Sequence, residues 1–236
     1  MKLSIVVPVY NEEARAAQTV KTVLAVDFPF EVELVVVDDG SKDGTVAALA
    51  GVDDPRMRLI QHQRNRGKGA AVRTGAAQAS GEYLVILDAD LEYEPRDILR
   101  LLEPVIEKRA EVVYGTRSFG SSTAFSFWYV MGNKLVTTYA NVMFNCYISD
   151  LETGYKLMPT ALYNDLDIRA RGFGMEAEVT GKLLRRGVRP HEVPISYRAR
   201  TREEGKKITW LDGVAALRIL TRERLRRKPQ SKRSRA

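Results

Sequence analysis

Cysteine and histidine are almost missing from this sequence: Cys146 is the single thiol, and His62 and His191 are the only imidazoles. One thiol excludes an internal disulfide and suits a reducing compartment. Two distant histidines with one cysteine exclude a zinc site of the usual ligand types, and both histidines read as ordinary, partly exposed side chains. No run of eighteen apolar residues occurs, so no segment is expected to span a bilayer. The start passes directly into strand-like Leu3–Val7 without the pattern of a signal peptide. Gly67-Lys68-Gly69 lacks the context of a Walker loop or a dinucleotide fingerprint, although its amides and Lys68 can face phosphate.

Excess basic charge is absent outside one end. Between Arg218 and Ala236 stand nine Lys or Arg and one acid, Glu223, so that this segment carries +8 against a net +7 for the chain, and the body is near −1. Such a block reads as an interaction arm for an anionic surface. A near-neutral body argues against a nucleic-acid-binding domain.

What the chain does have is a series of short apolar runs ending in acids. Gly81–Glu92 holds the apolar run Tyr83–Leu87, followed by Asp88 and Asp90 one residue apart. The run reads as a strand buried on both faces, and its acids fall where open α/β sheets bind ligands. Two such acids can reach one hard cation, Mg²⁺ or Mn²⁺. Further strands are expected at Leu3–Val9, Glu31–Asp39, Arg58–Ile60 and Glu111–Gly115. Helices are expected after Asn11, read as an N-cap, after Gly44, from Gly67 to Ala79, and from Pro95 to Lys108. Alternation of this kind implies an α/β fold with a doubly wound, mostly parallel sheet. Tyr10 and Glu12, Asp38 and Asp39, and Asp88 and Asp90 then converge on one side of it.

The motifs IVVPVYNEE, VVVDDGSKDGT, NRGKGAAVRTG, LDADLE, YGTRSFG, SDLETGYKLM, GFGMEAEV and EVPISYRART follow in order from Ile5 to Thr201. In combination they resemble the family 2 glycosyltransferases of GT-A fold, and among them the dolichyl- and polyprenyl-phosphate mannose and glucose synthases. The resemblance implies a single domain over 1–228, with a nucleotide half (1–117), an acceptor half (118–228) and a basic tail (229–236). It implies a metal-dependent, inverting transfer of a hexose from a nucleotide-diphosphate sugar to polyprenyl phosphate. The enzyme would be peripheral on the cytoplasmic, inner face of a membrane, and a separate membrane-protein partner is compatible with it. Position by position, Pro8, Tyr10 and Glu12 would contact the nucleotide, and Val37 and Asp39 its base and ribose. Asp88 and Ala89 would line the diphosphate site, and Asp90 would be the main metal ligand. Glu92 stands where the family often has Gln; it is either a third ligand or outside the shell. Arg117 would hold the acceptor phosphate near Asp150 and Lys156, the lysine replacing a usual arginine and losing its fork. Arg200, Arg202, Lys206 and Lys207 are all candidates for the diphosphate.

A rival enzyme reading keeps the donor but takes a hydroxyl acceptor, with Asp150 or Glu176 as base. A third reading is a non-catalytic nucleotide or nucleic-acid binder. Between Ser118 and Ile148 a helical stripe through Trp128, Tyr129, Val136, Tyr139 and Met143 is expected mainly in the core, with a prenyl groove or membrane surface as second use. A helix from about Thr209 to Arg227 is expected, its apolar side drawn from residues between Ile208 and Leu225 and suited to lie on an anionic surface.

Overall fold

The strand Lys2–Val9 (β1) is buried at every position after its first, and its alternate side chains serve two layers. Leu3, Ile5, Val7 and Val9 join one apolar cluster, whereas Val6 joins another with Leu84 and Ile86. A strand with period-2 side chains and no polar face needs helices on both sides, as the continuous Ile5-Val6-Val7 run demands. Each such side chain, fully buried, contributes about 1.5–3 kcal/mol of transfer free energy.

In this computed structural model residues 1–118, 127–172, 174–199 and 210–226 are described. After β1 come α1 (Ala16–Leu24), β2 (Glu31–Asp38), α2 (Thr45–Ala50), β3 (Met57–Gln61), α3 (Lys68–Gln78), β4 (Tyr83–Ile86), α4 (Asp97–Ile106) and β5 (Val113–Thr116). The second half adds α5 (Phe127–Phe144), β6 (Lys156–Pro159), α6 (Thr160–Asp165), α7 (Met175–Arg185), β7 (His191–Pro194) and α8 (Trp210–Leu225). One seven-stranded sheet runs β3-β2-β1-β4-β6-β5-β7. Only the pairings of β6 with β4 and β5 are antiparallel. The α/β, mostly parallel architecture expected from the sequence is therefore present.

The reversed strand brings a loop to the ligand end of the sheet. Because β6 runs against β4, with Val85 opposite Leu157 and Tyr83 opposite Pro159, the start of β6 lies at the end of β4. The loop 149–155 is thus delivered beside Asp88. β5 and β7 end on the same side, Thr116 opposite Pro194.

Three expectations change. Asn11 is not a helix cap: it sits at φ +50°, its Oδ1 accepts from the Lys42 amide at 2.9 Å, and α1 starts at Ala16. The aromatic stripe is only partly core, because α5 buries Val136, Thr137 and Ala140 while Trp128 is 79% exposed. The helix expected to lie on a surface is packed on the protein along one side. Ala216 and Leu220 of α8 are buried with Val136, Ala140 and Ala177, and Tyr139 meets Thr221 at 2.6 Å.

Candidate active site

At the end of β2, Asp39 acts as a hub for the loop that opens α3. Its carboxylate accepts from the amides of Arg66 (3.0 Å) and Gly67 (2.7 Å) and lies 2.7 Å from His62 Nδ1. His62 Nε2 is 2.9 Å from the Thr74 hydroxyl. The two contacts hold the imidazole between Asp39 and Thr74. His62 is partly exposed as a residue but its side chain is 5% exposed and joins Asp39 to Thr74. Gly67 holds φ +91°, and a Cβ there would collide with the Arg171 carbonyl, so the loop requires glycine. Val37 is fully buried against Val35 and Ala71. Its side chain is core, which corrects its assignment to the nucleotide base. Pro8 is buried, while Tyr10 and Glu12 stay partly exposed at the end of β1, Glu12 anchored by its amide to Thr45 Oγ1 at 2.9 Å.

Beyond β4 the acids separate in role. Lys68, the first residue of α3, places Nζ 2.8 Å from both Asp88 and Glu176. Burial works against the ammonium, but these two carboxylates hold it well above its ordinary range. Leu91 takes φ +62°, a costly conformation for a branched side chain. The turn lets Asp90 accept from the Glu92 amide at 3.1 Å. Glu92 is 8% exposed and takes the Tyr197 hydroxyl. Asp88, Asp90 and Glu92 do not gather as a metal cage, and among the described residues no group of three or more His, Cys, Asp or Glu does. The residues present fit a hard cation held by the Asp90 carboxylate with substrate oxygens completing its shell, an arrangement that suits Mg²⁺ or Mn²⁺.

Arg117 follows β5. Its Nε and Nη2 each stand 2.7 Å from Asp150, and its guanidinium lies 5.0 Å over the Tyr197 ring. Asp150 also accepts from the Arg117 amide and from Asn133 of α5 at 2.9 Å. Burial alone would raise the Asp150 pKa; the Arg117 guanidinium overrides it and holds the carboxyl below its usual value. The result is a fixed, charged fork at the sheet's ligand end. Lys156 does not join it. It is fully buried, donates to the carbonyls of Leu151 (2.8 Å) and Thr153 (2.5 Å), and lies 4.6 Å over the Tyr114 ring. The lysine thus closes the 149–155 loop from beneath, a correction to its expected place at the acceptor. Arg200, Arg202, Lys206 and Lys207, and the basic tail 229–236, lie outside the described residues.

Residues 4–166 match the family model described as Glycosyl transferase family 2. The chain belongs to that family. The undecaprenyl-phosphate mannosyltransferase of Micrococcus luteus is 28% identical over 231 residues, covering 93% of each chain. The dodecaprenyl-phosphate galacturonate synthase of Rhizobium johnstonii is 34% identical over 122 residues, which is 50% of this chain and 36% of that one. The chain thus spans only about a third of the second relative. Among solved structures, glucosyl-3-phosphoglycerate synthase from Mycobacterium tuberculosis, in complex with Mn²⁺, UDP and phosphoglyceric acid, superposes with a TM-score of 0.69 at 18% identity. That match covers 94% of this chain and 76% of the other and shows a shared GT-A fold.

The family 2 chain also has site residues that sequence reasoning passed over. Tyr93, Tyr155 and Tyr197 pack together, with the Tyr93 ring centroid 4.7 Å from that of Tyr155 (tilted) and 5.1 Å from that of Tyr197 (edge-on). Tyr93 Oη accepts from the Gly154 amide at 2.8 Å, and a Cβ on Gly154 would stand 2.8 Å from Asp88 Oδ2. Glu192 of β7 holds the Ser149 amide at 2.9 Å. Glu152 belongs to the SDLETGYKLM motif, yet nothing in its local pattern marks it, because its surroundings come from distant segments.

Proposed function

We propose that the protein moves a hexose from a nucleotide-diphosphate sugar to polyprenyl phosphate, with inversion, while docked on the cytoplasmic face of a membrane. The observation that carries this reading is the Arg117 fork, charged and held by Asp150 beside the acid-bearing end of β4. It offers a second anion site next to the one for the donor diphosphate, as an acceptor phosphate requires. The full-length likeness to an undecaprenyl-phosphate mannosyltransferase supports the same acceptor.

In this reading residues 1–117 hold the nucleotide and 118–228 the acceptor. Asp39 fixes the Arg66–Gly67 turn and Lys68 brings positive charge to the diphosphate side. A divalent cation, when bound at Asp90, supplies neutralisation of the charge that develops on the leaving diphosphate. Arg117 orients the acceptor phosphate, whose oxygen is already anionic near neutral pH, so no side chain has to remove a proton. Attack opposite the leaving group inverts the anomeric carbon. A hydroxyl acceptor would need a base, and both candidates are engaged: Asp150 accepts four hydrogen bonds and Glu176 pairs with Lys68. The test is incubation with labelled UDP-, GDP- and dTDP-hexoses and a short polyprenyl phosphate in Mg²⁺ or Mn²⁺. A lipid-linked sugar phosphate is the expected product; turnover of hydroxyl acceptors alone would overturn the reading.

No helix among the described residues is long and apolar enough to cross a membrane. Yet Trp128, Met131, Leu135 and Val142 recur at helical spacing on one exposed side of α5. On α8, Leu211, Val214 and Leu225 are exposed, and Arg218, Arg222 and Arg224 lie on the same helix. Apolar side chains with nearby arginines suit the surface of an anionic bilayer. Trp128→Ser with Leu135→Ser is expected to weaken sedimentation with phosphatidylglycerol–phosphatidylcholine vesicles by at least about 10-fold, from lost apolar burial. Deleting Pro229–Ala236 should weaken it further, most at low salt. Unchanged sedimentation of the double variant would exclude α5 as the docking face.

A further inference from the structure

One side of the largely apolar helix α5 carries a row of polar side chains. Asn133, Thr137 and Asn141 are spaced four residues apart, so they stand one above another. All three reach the segment 148–151. Asn141 accepts from the Ile148 amide at 3.0 Å and donates to the Ile148 carbonyl at 2.9 Å. Asn133 Nδ2 donates to Asp150 Oδ1 at 2.9 Å, Thr137 donates to Asn133 Oδ1 at 3.2 Å, and the Leu151 amide donates to Thr137 Oγ1 at 3.2 Å. This chain of bonds has one direction. A carboxylate only accepts, so Asn133 must turn its NH₂ to Asp150 and its oxygen to Thr137. The Thr137 hydroxyl, having given its proton there, accepts from Leu151.

The residue held in this way is the one that holds the fork. Asp150 Oδ1 is shared between Asn133 Nδ2 and Arg117 Nη2, while Oδ2 takes Arg117 Nε and the Arg117 amide. The terminal torsion of a carboxylate is soft, so its setting is chosen by such partners. With Nε and Nη2 both committed to Asp150, the direction of the remaining guanidinium nitrogen, Nη1, follows from how Asp150 is held. The row lies about 150° around α5 from exposed Trp128, Met131, Leu135 and Val142. It therefore serves the interior and not the exposed side of that helix.

We infer that Asn133 and Thr137 are positioning residues for the acceptor: through Asp150 they set the direction in which the Arg117 fork meets the lipid phosphate. The inference rests on the acceptor role proposed for Arg117 and adds the residues that aim it. A fork recognises a phosphate by geometry as well as by charge, and a small error in aim weakens that match while leaving the ion pair intact. Neither residue is expected to act on the donor, whose side of the site is built from β2, α3 and the end of β4.

The test is steady-state kinetics of the full chain with Mn²⁺, the sugar nucleotide that the parent turns over and a short, detergent-soluble polyprenyl phosphate. Asn133→Ala should raise the KM for the lipid phosphate about 10-fold and leave the donor KM within about two-fold. Thr137→Val, which keeps the shape and removes the hydroxyl, should raise the lipid KM by about three-fold or more, and Thr137→Ser should stay within about two-fold of the parent. In an Arg117→Lys background, Asn133→Ala should add less than about three-fold, because the fork it aims is gone. Val23→Ala, a cavity-making change at a buried position of α1, is the stability control: it should lower the melting temperature and leave the lipid KM within about two-fold. A lipid KM unmoved by Asn133→Ala overturns the inference, as does an equal rise in the donor KM or an undiminished effect in the Arg117→Lys background. Should Asn133→Ala fail to fold, the Thr137→Val and Thr137→Ser pair decides alone, and equal KM values for the two overturn it. Absence of lipid turnover by the parent overturns the acceptor reading and this inference together, whereas lipid turnover with an unmoved KM overturns this inference only.

Discussion

Asp90→Asn is expected to lower kcat by at least about 1,000-fold at saturating Mn²⁺, corresponding to roughly 4 kcal/mol of transition-state stabilisation. Asp88 faces the Lys68 ammonium at 2.8 Å and Glu92 takes the Tyr197 hydroxyl; in the proposed reading Asp90 is the carboxylate that brings charge to a cation at the end of β4. Asparagine keeps the size and can still accept from the Glu92 amide, so the melting temperature should stay close to that of the unsubstituted protein. EDTA should abolish turnover of the parent protein and added Mg²⁺ or Mn²⁺ restore it. Glu92→Gln should leave the metal concentration for half activity nearly unchanged. Full activity in chelator, or an Asp90→Asn enzyme within about ten-fold of the parent, would remove the metal from the proposal.

Arg117 is expected to give the second large effect, and to split cleanly between function and stability. Arg117→Lys keeps the charge but loses the planar fork. The KM for polyprenyl phosphate should rise by about 100-fold, with donor affinity little changed, since one charge-assisted pair contributes about 1.5–3 kcal/mol. Asp150→Ala acts differently. It strands a guanidinium that is 17% exposed and removes the partner of Asn133. Breaking such a pair costs about 3–5 kcal/mol, on the order of a 10 °C drop in Tm for a chain of this size. Thermal melting of both variants separates the two roles. If Arg117→Lys raised the donor KM instead, the fork would belong to the diphosphate.

The parts of the fold that were legible are those whose signal is local. β1, β2 and β4 are short runs of mostly buried residues, rich in aliphatic side chains, and the Asp39, Asp88 and Asp90 positions follow from where such runs stop; β5, Val113–Thr116, is buried throughout. β6 and β7 are four residues each and begin with Lys156 and His191, so no periodicity marks them. Their strand character comes from pairing with residues far away in sequence. For the same reason the direction of β6 was invisible, and with it the approach of Gly154 to Asp88. The aromatic segment misled because apolar content does not say which face will find a partner. α5 turns Val136 and Ala140 to α8 and leaves Trp128 and Leu135 outside.

From sequence alone came the α/β class, the family resemblance and the set of acids at the strand ends, because each is carried by residue type and order. Which of those charges can reach a substrate was decided by tertiary packing. Lys156 and Arg117 are both cations near one motif, yet one is buried under two carbonyls and the other is held as a fork by Asp150. Glu92 and Asp90 stand two residues apart, yet Tyr197, from a distant strand end, engages the first. A charge's role depends on its desolvation and on its partners within a few ångströms. Those partners come from β7, α5 and α7, which only the folded sheet brings beside β4.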